Sequence, residues 1–600
     1  MFLRKSYNKK TNRTYLSIVQ GYRDKDGKSK SKVVESIGYL DELLEKYDDP
    51  IAHFTGVAAS KDNERQSEKN ITITIDMNGQ IERGVTNRKN YGHVVFSKIY
   101  HELEIDWFLK NARRHENFLF NTDAVMRLLV YSRLLYPGSK RASVHIKERF
   151  FDNFKFSLDD VYNALIHFDK ISNGLQRHLH EKVTSQYGRN TDMVYYDVTN
   201  YYFEIDKQDD LRRNGPSKEN RKSPIVQMGL MLDKLNLPIM YKIFPGNTHD
   251  SQTLMPMLTE IKKSYGAKRV ITVADKGLNS GDNIAYSVAL GDGYIYSKSV
   301  RGASDDFKEW VLAESGYRHI KDKDEAENKN EREDGIKYKY KLKSKIVPDA
   351  EINVTVEQNG KKKKKKKVKI EQKWVAFYSK KYAERAKHKR EETIEKAIKM
   401  INNPSQYKRN IDYGAAGYIE NIKIDKDSGE IINIEDTLVL DQVKINEEKK
   451  YDGYYAIVTS ELDDADEKII DRYRELWHIE DTFKITKNVL DTRPVFLSNF
   501  KRINAHFLIC FISLLIARIV EKKLNCKYTV EKISETLRNV SCSHLEQNVW
   551  LFDFADDVTD DINAVFGTDF GRKAMILQEI KSNLAQSKTL SLHHGYNENL

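Results

Sequence analysis

Tyr473, Glu480 and Lys487 follow one another at seven-residue intervals within "ADEKIIDRYRELWHIEDTFKITKNV" (465–489). The stretch holds no glycine or proline and consists largely of good helix formers, so it reads as one helix. Seven residues are almost two helical turns, so side chains at that interval drift by only about 20° per step and form one stripe. Leu476, Trp477, Phe483 and Lys484 fall on or beside it. A phenol, a carboxylate and an ammonium in line suit a metal-bound phosphate: the carboxylate ligates the cation, and Tyr and Lys reach phosphate oxygens. The solvated edge of an amphipathic helix presents the same stripe, and the helix alone leaves both readings open.

Two aspartates offer Glu480 partners. Asp197 closes the apolar half of the strand-like run "MVYYDVTNYYFE", and Asp275 ends "KRVITVAD", the most apolar strand of the chain. Ligands gather at the carboxyl ends of strands in α/β sheets, although an acid there also caps a following turn. Asp197, Asp275 and Glu480 come from two strands and a helix and are placed to converge. Three carboxylates without a histidine or cysteine partner suit hard cations such as Mg²⁺ or Mn²⁺. Two such ions, roughly 3.5–4 Å apart, activate a water or 3′-hydroxyl and stabilise the leaving oxygen of a phosphodiester. In a basic, multi-domain chain the substrate this chemistry points to is double-stranded DNA.

Composition narrows the class. Six hundred residues exceed one core, so several domains are expected. An apolar fraction of 40%, with 34 Tyr and 24 Phe, argues against global disorder. The net charge of +11 is uneven: ten Lys or Arg lie between Arg4 and Lys32, against Asp24 and Asp26. That asymmetry favours a polyanionic partner, although basic tails are often merely solvated. The three cysteines (Cys510, Cys526, Cys542) form no CxxC pair or Cys/His cluster, which excludes a disulfide framework or structural zinc. The N-terminus lacks an apolar run of signal-peptide length. "FLICFISLLIA" (507–517) is too short to span a bilayer and reads as a buried helix. A cytoplasmic protein without a membrane partner is expected.

The elements that must position these residues follow in order. Residues 1–60 read as a small basic β-rich unit with a turn at Asp26-Gly27. Residues 61–185 begin with a polar linker (60–70) and a hairpin, "ITITID" turning at Asn78-Gly79. A helical DNA-binding or dimerisation region follows, with helices capped at Thr122 or Asp123 and at Ser157. Residues 186–300 alternate strands and helix as a mixed α/β core, and 301–450 form a charged, β-rich insertion. The lysine run Lys361 to Lys367 reads as a solvated loop, since like charges in series repel. Residues 451–520 return to the core through "DGYYAIVTS" and the Glu480 helix, and 521–600 form a helical tail.

The joint motifs resemble those of insertion-sequence DDE transposases of the IS-four superfamily. "YRELWHIEDTFKITK" looks like that family's YREK signature. "YYDVTNYYFE", "PGNTHDSQT" (245–253), "VADKG" and "DGYYAIVTS" support it, as does the β-rich insertion between the second Asp and the Glu. The resemblance implies a ribonuclease-H-like catalytic core with Asp197, Asp275 and Glu480 as catalytic ligands of two Mg²⁺ ions, for which Mn²⁺ can substitute. It further implies that Tyr473 and Lys487 contact phosphates at the transposon ends. Such an enzyme binds terminal inverted repeats, hydrolyses a strand to free a 3′-hydroxyl, and joins that end to target DNA. It works as a homodimer on DNA in the bacterial cytoplasm, associated with the nucleoid. A non-cutting DNA-binding descendant and a simple nuclease of the same fold are the alternatives.

One position departs from the signature: its arginine, four residues before the glutamate, is Leu476 here. Arg474 stands about 200° round an ideal helix from Leu476 and cannot simply substitute. Trp477 suits stacking on a displaced base or a packed core equally, and Lys484 adds charge beside the stripe. His478 and His506 read as packing or phosphate residues rather than metal ligands. Asn247, His249 and Asp250 follow a strand, and turn chemistry explains them as well as a place near the site.

Overall fold

The computed structural model describes the chain except residues 10, 24–28, 68–77, 81–82, 216–222, 322–337, 359–361, 404–412, 425–430, 546–547 and 590–600. Both expected hairpin readings near the N-terminus touch these gaps: the Asp26-Gly27 turn and "ITITID" lie outside the described residues. The chain divides into two units, Met1–Arg83 and Gly84–Leu600.

In the first unit β1 (Phe2–Asn8), β2 (Arg13–Arg23) and β3 (Ser29–Tyr39) form an antiparallel sheet. Leu16, Ile18 and Val19 of the middle strand are buried. Helix α1 (Pro50–Ser67) then runs through residues expected to be a linker. Its start explains the difference. The Asp49 carboxylate accepts from the amides of Ile51 and Ala52 at 3.0 and 2.9 Å, and Pro50 takes the first helical position. Lys, Glu, Arg and Gln, all good helix formers, carry the helix onward.

The second unit is built on a nine-stranded sheet. In chain order its elements begin with β4 (Arg88–Asn90), α2 (Thr122–Leu135), α3 (Leu158–Tyr187), β5 (Met193–Tyr202), β6 (Ile225–Leu232) and β7 (Pro238–Pro245). Next come α4 (Leu254–Tyr265), β8 (Ile271–Ala274), α5 (Gly281–Ala289), β9 (Gly293–Lys298), α6 (Asp305–Leu312), β10 (Arg318–Lys321), β11 (Tyr338–Gln358) and β12 (Lys362–Tyr378). Then follow α7 (Lys380–Asn402), β13 (Ile419–Ile424), β14 (Ile431–Leu440), β15 (Tyr454–Thr459), α8 (Asp466–Arg474), α9 (Trp477–Lys484) and α10 (Phe500–Lys523). The sheet order is β10-β11-β12-β15-β9-β8-β5-β6-β7. β5, β8 and β9 run parallel, and every other neighbouring pair is antiparallel.

Helices cover both faces. Side chains of α2, α3 and α10 share one apolar cluster with Tyr195 and Tyr201 of β5. Those of α4, α5 and α6 share the other with Val194, Tyr196 and Val198. The alternation along β5 is the period-two pleat sending successive residues to opposite faces. Double coverage leaves all eight residues of β6 buried, and a strand so placed reads as a continuous apolar run.

Ser157 closes a reciprocal capping box with Asp160 at the start of α3, where a cap was expected. At α2 the cap is instead Asn121, whose side chain accepts from the amides of Asp123 and Ala124. The apolar stretch 507–517 sits in α10, a helix long and apolar enough to cross a membrane but buried among its neighbours here.

The 301–450 stretch is not wholly separate, since β10, β11 and β12 continue the central sheet. Helix α7 and the antiparallel pair β13–β14 hold a small core of their own around Ala397, Met400, Tyr418 and Leu438. The lysine run is strand rather than loop: from Lys362 it pairs along β11, with Lys364 to Lys367 exposed. Backbone pairing, not side-chain charge, decides its conformation there, and Lys367 meets Glu351 at 2.7 Å.

The last eighty residues are not all helical. Strands β16 (Ser541–His544), β17 (Val549–Phe552) and β18 (Ala574–Ile576) join β4 in a four-stranded sheet in the order β18-β17-β16-β4. Short runs such as "VWLF" fit a pleated, half-buried surface; β17 pairs with β16 and β18, and the distant β4 completes the sheet beside β16.

Candidate active site

Asp197 lies on the same face of β5 as Tyr195 and Tyr201, the face that α9 and α10 cover. β5 and β8 are parallel, with Met193 opposite Ile271 and Tyr195 opposite Val273. Two residues further along each chain, Asp197 and Asp275 are therefore level on neighbouring strands. Asp275 follows the last residue of β8 in extended conformation (φ −78°, ψ 170°), and the Ser297 hydroxyl of β9 donates to its Oδ1 at 2.8 Å.

The helix bearing Glu480 is not one regular rod. Helix α8 ends at Arg474, and α9 begins at Trp477 after a tightened turn. There the amides of Leu476, His478 and Ile479 donate three residues back, to Tyr473, Glu475 and Leu476. After Lys484 the winding loosens into a π-turn over Ile485–Val489, with the Leu490 amide donating five residues back to Ile485 at 2.9 Å. Both irregularities coincide with ties to the sheet. The Tyr195 hydroxyl donates to the Glu475 carboxylate at the tight turn. The hydroxyls of Tyr201 and Thr486 share a 2.8 Å hydrogen bond at the loose one. Helix α10 braces α9 from behind, Arg518 donating to Asp481 at 2.9 Å and to the Thr482 hydroxyl at 2.8 Å.

These departures redistribute the expected stripe. Glu480 and Lys484 are exposed and line a cavity of about 590 Å³ with Asp197, Asp275 and the half-buried Lys487. Lys487 lies over the Tyr201 ring, its Nζ 5.7 Å from the centroid. Tyr473 is not part of the lining. Its hydroxyl donates to Asp275 Oδ1 at 3.3 Å, and burial, reinforced by the negative charge of Asp275, raises its pKa. Leu476 lines the cavity and contributes an apolar wall.

Arg474 points elsewhere, over the rings of Tyr340 and Phe377 at 4.4 and 5.7 Å. Trp477 is 56% exposed, which excludes the packed-core reading; its ring stacks near His478, outside the cavity lining. His506 is buried between the Lys140 ammonium (3.2 Å) and the Thr492 carbonyl (3.1 Å), and burial next to two cations holds its pKa well below the usual value.

Asp250, Lys276, Asn488 and Arg493 complete the polar lining. Only Asp250 had been singled out in the sequence, without a decision between turn and site; Asn247 and His249 stay out of the lining. Its place follows from a chain of contacts on the opposite face of β5. The buried Tyr196 hydroxyl donates to Thr253 Oγ1 at 2.8 Å, and Thr253 donates to the Asp250 carbonyl at 2.6 Å. A Cβ at Gly277 would stand 3.6 Å from Asp250 Oδ2, an ordinary contact, which shows that the segment after Asp275 and the Asp250 turn are neighbours. Lys276, Asn488 and Arg493 carried no pattern of their own. They enter because a strand end, the π-turn and the loop after it converge.

The donor set is all oxygen, as hard divalent cations require. Among the described residues, however, no three Asp, Glu, His or Cys side chains are gathered closely enough to hold one ion. The carboxylates face one cavity without collapsing on a single point.

Residues 3–70 match the N-terminal domain of the IS1634 family transposases, and residues 203–516 match the transposase DDE domain. The second match takes in Asp275 and Glu480 and begins after Asp197. Among solved structures, the Mos1 transposase paired-end complex with left transposon end is similar at 11% identity. It covers 42% of this chain and 70% of that one, with a TM-score of 0.14. The Mos1 mariner paired end complex with Mn is similar at 13% identity over 42% and 69%, with a TM-score of 0.13. Likeness at those scores supports no inference. No curated protein matches the chain.

Proposed function

The chain belongs to the insertion-sequence DDE transposases, and from that premise we propose that its cavity cuts and joins DNA at the ends of its own element. The observation that carries the reading is the shared lining of Asp197, Asp275 and Glu480, faced by Lys484 and Lys487. Five strands in the order β7-β6-β5-β8-β9, the first three antiparallel and the last two parallel to β5, support a ribonuclease-H-like core. The three carboxylates are the residues that would hold Mg²⁺, or Mn²⁺ in its place. When bound, such ions activate the attacking oxygen and stabilise the leaving one.

The chain's own residues do the rest. Lys484 and Lys487 draw in phosphates electrostatically and fix their register. Tyr473, held against Asp275, orients that carboxylate rather than reaching outward. Trp477, exposed beside the cavity-lining Leu476, is free to stack on an unpaired base. We assign the same site to cleavage, which frees a 3′-hydroxyl, and to strand transfer into target DNA. Two ends have to be brought together, so a homodimer on DNA in the cytoplasm is the working form.

The test is a Mg²⁺-dependent nicking assay on a duplex carrying the sequences that flank the reading frame. Asp197→Ala, Asp275→Ala and Glu480→Ala are each expected to abolish cutting while sparing end binding. Full cutting by any one of them removes that residue from the catalytic set. Cutting without insertion of a pre-cleaved end into plasmid would make the protein a nuclease, and binding without cutting would make it a DNA-binding descendant.

A further inference from the structure

Among the described residues four cations line the cavity: Lys276, Lys484, Lys487 and Arg493. Arg493 differs from the lysines in chemistry and in how it is held. Its planar fork matches two phosphate oxygens at once, where an ammonium offers a point charge. The loop that carries it is tied down from three sides. Buried Arg133 of α2 donates to the carbonyls of Leu490 and Asp491, at 3.0 Å each. Buried His506 of α10 bonds the Thr492 carbonyl at 3.1 Å, and the Val495 amide donates to the Tyr202 carbonyl of β5 at 3.4 Å. The guanidinium itself lies over the Tyr202 ring, 5.8 Å from the centroid. A side chain positioned by buried anchors loses little freedom when it closes on a ligand. The same cavity is lined at position 476 by leucine, which offers no phosphate contact.

We propose that Arg493 is the guanidinium that grips a phosphodiester of the DNA strand in this cavity. The assignment rests on the cavity being a DNA-cleaving site.

Full-length protein would be titrated with a fluorescein-labelled duplex of the flanking end sequence at several salt concentrations, with Mg²⁺-dependent nicking measured alongside. Arg493→Ala is expected to weaken binding about ten- to a hundredfold, as loss of a charge-assisted contact does. It should also flatten the slope of log affinity against log salt by about 0.9. Arg493→Lys keeps the charge and therefore the slope, but loses part of the affinity. Leu476→Arg added to Arg493→Ala restores part of the binding, because it returns a guanidinium to the same cavity. Wild-type affinity and slope in Arg493→Ala overturn the proposal. If Arg493→Ala also lowers the melting transition, Arg493→Lys decides: a full-affinity lysine variant with normal nicking refutes the fork. A wild-type chain that never nicks end DNA refutes the parent reading instead. An active wild type with an indifferent Arg493 refutes only this one.

Discussion

Gly229→Ala tests whether the far face of the sheet positions the Asp250 side of the cavity. Gly229 of β6 stands opposite Val198, and the Tyr196 phenol crosses over it. A Cβ at 229 would lie 2.3 Å from the Tyr196 hydroxyl and 3.0 Å from two of its ring carbons, so the ring must shift. Tyr196 is fully buried and has nowhere to go without giving up its 2.8 Å hydrogen bond to Thr253. Overpacking costs about 1–3 kcal/mol. Stranding the hydroxyl adds about 1–3 kcal/mol, and partial relaxation brings the expected total near 3 kcal/mol. The unfolding entropy is on the order of 1 kcal/mol/K for a unit of this length, so the melting midpoint should fall by about 3 °C. Nicking should fall with it, since Thr253 also holds the Asp250 turn.

Tyr196→Phe alone should cost only about 1 kcal/mol. In its background Gly229→Ala meets ring carbons but no hydroxyl, so the double variant should be more stable than additivity predicts, by at least about 0.5 kcal/mol. Thermal melts of the four proteins decide. A wild-type midpoint for Gly229→Ala, or strict additivity, would refute the reasoning.

Three further outcomes are expected. Arg189 and Asp233 form an ion pair with both side chains wholly buried, at 2.7 Å, so Arg189→Met strands a carboxylate and should cost about 3–5 kcal/mol; adding Asp233→Asn should recover part of that in a denaturant melt. Lys140 is buried against His506, and burial pushes its pKa down from 10.5 to about 7. The unfolded chain keeps that proton up to its ordinary pKa, so unfolding takes up a proton between pH 7 and 10.5, and stability rises with pH across that window. Lys140→Met should raise the melting midpoint at pH 7 and flatten that rise; an unchanged profile would contradict the depressed pKa of the buried lysine. Tyr473→Phe should slow nicking by no more than about tenfold, because Ser297 still donates to Asp275 at 2.8 Å. Total loss of cutting would instead give the phenol a direct part.

Much of the site was legible in the residues. Period-two alternation around Asp197 and the apolar run ending at Asp275 are local patterns, and local patterns report strands and the faces of side chains directly. The same holds for the Ser157 cap and for α10, whose long apolar run is buried among its neighbours. The stripe on 465–489 was legible only as far as ideal geometry lasts. Its residues are placed by a tight turn at Leu476 and a π-turn at Thr486, where Glu475 and Thr486 bond to tyrosines of β5 nearly three hundred positions earlier.

By itself, then, the sequence determined the acidic residues, the strands that carry two of them, and the helical setting of the third. Tertiary structure decided which basic residues face them. Lys276 and Arg493 come from segments without periodicity, and the tight turn after Arg474 takes Tyr473 off the line of Glu480. It also decided that the lysine run is strand and that the C-terminal tail contributes strands to a sheet with β4. The physical reason is common to all of these: local propensity reads a segment's own backbone, whereas pairing partners, helix irregularities and loop anchors depend on groups that only the fold brings near.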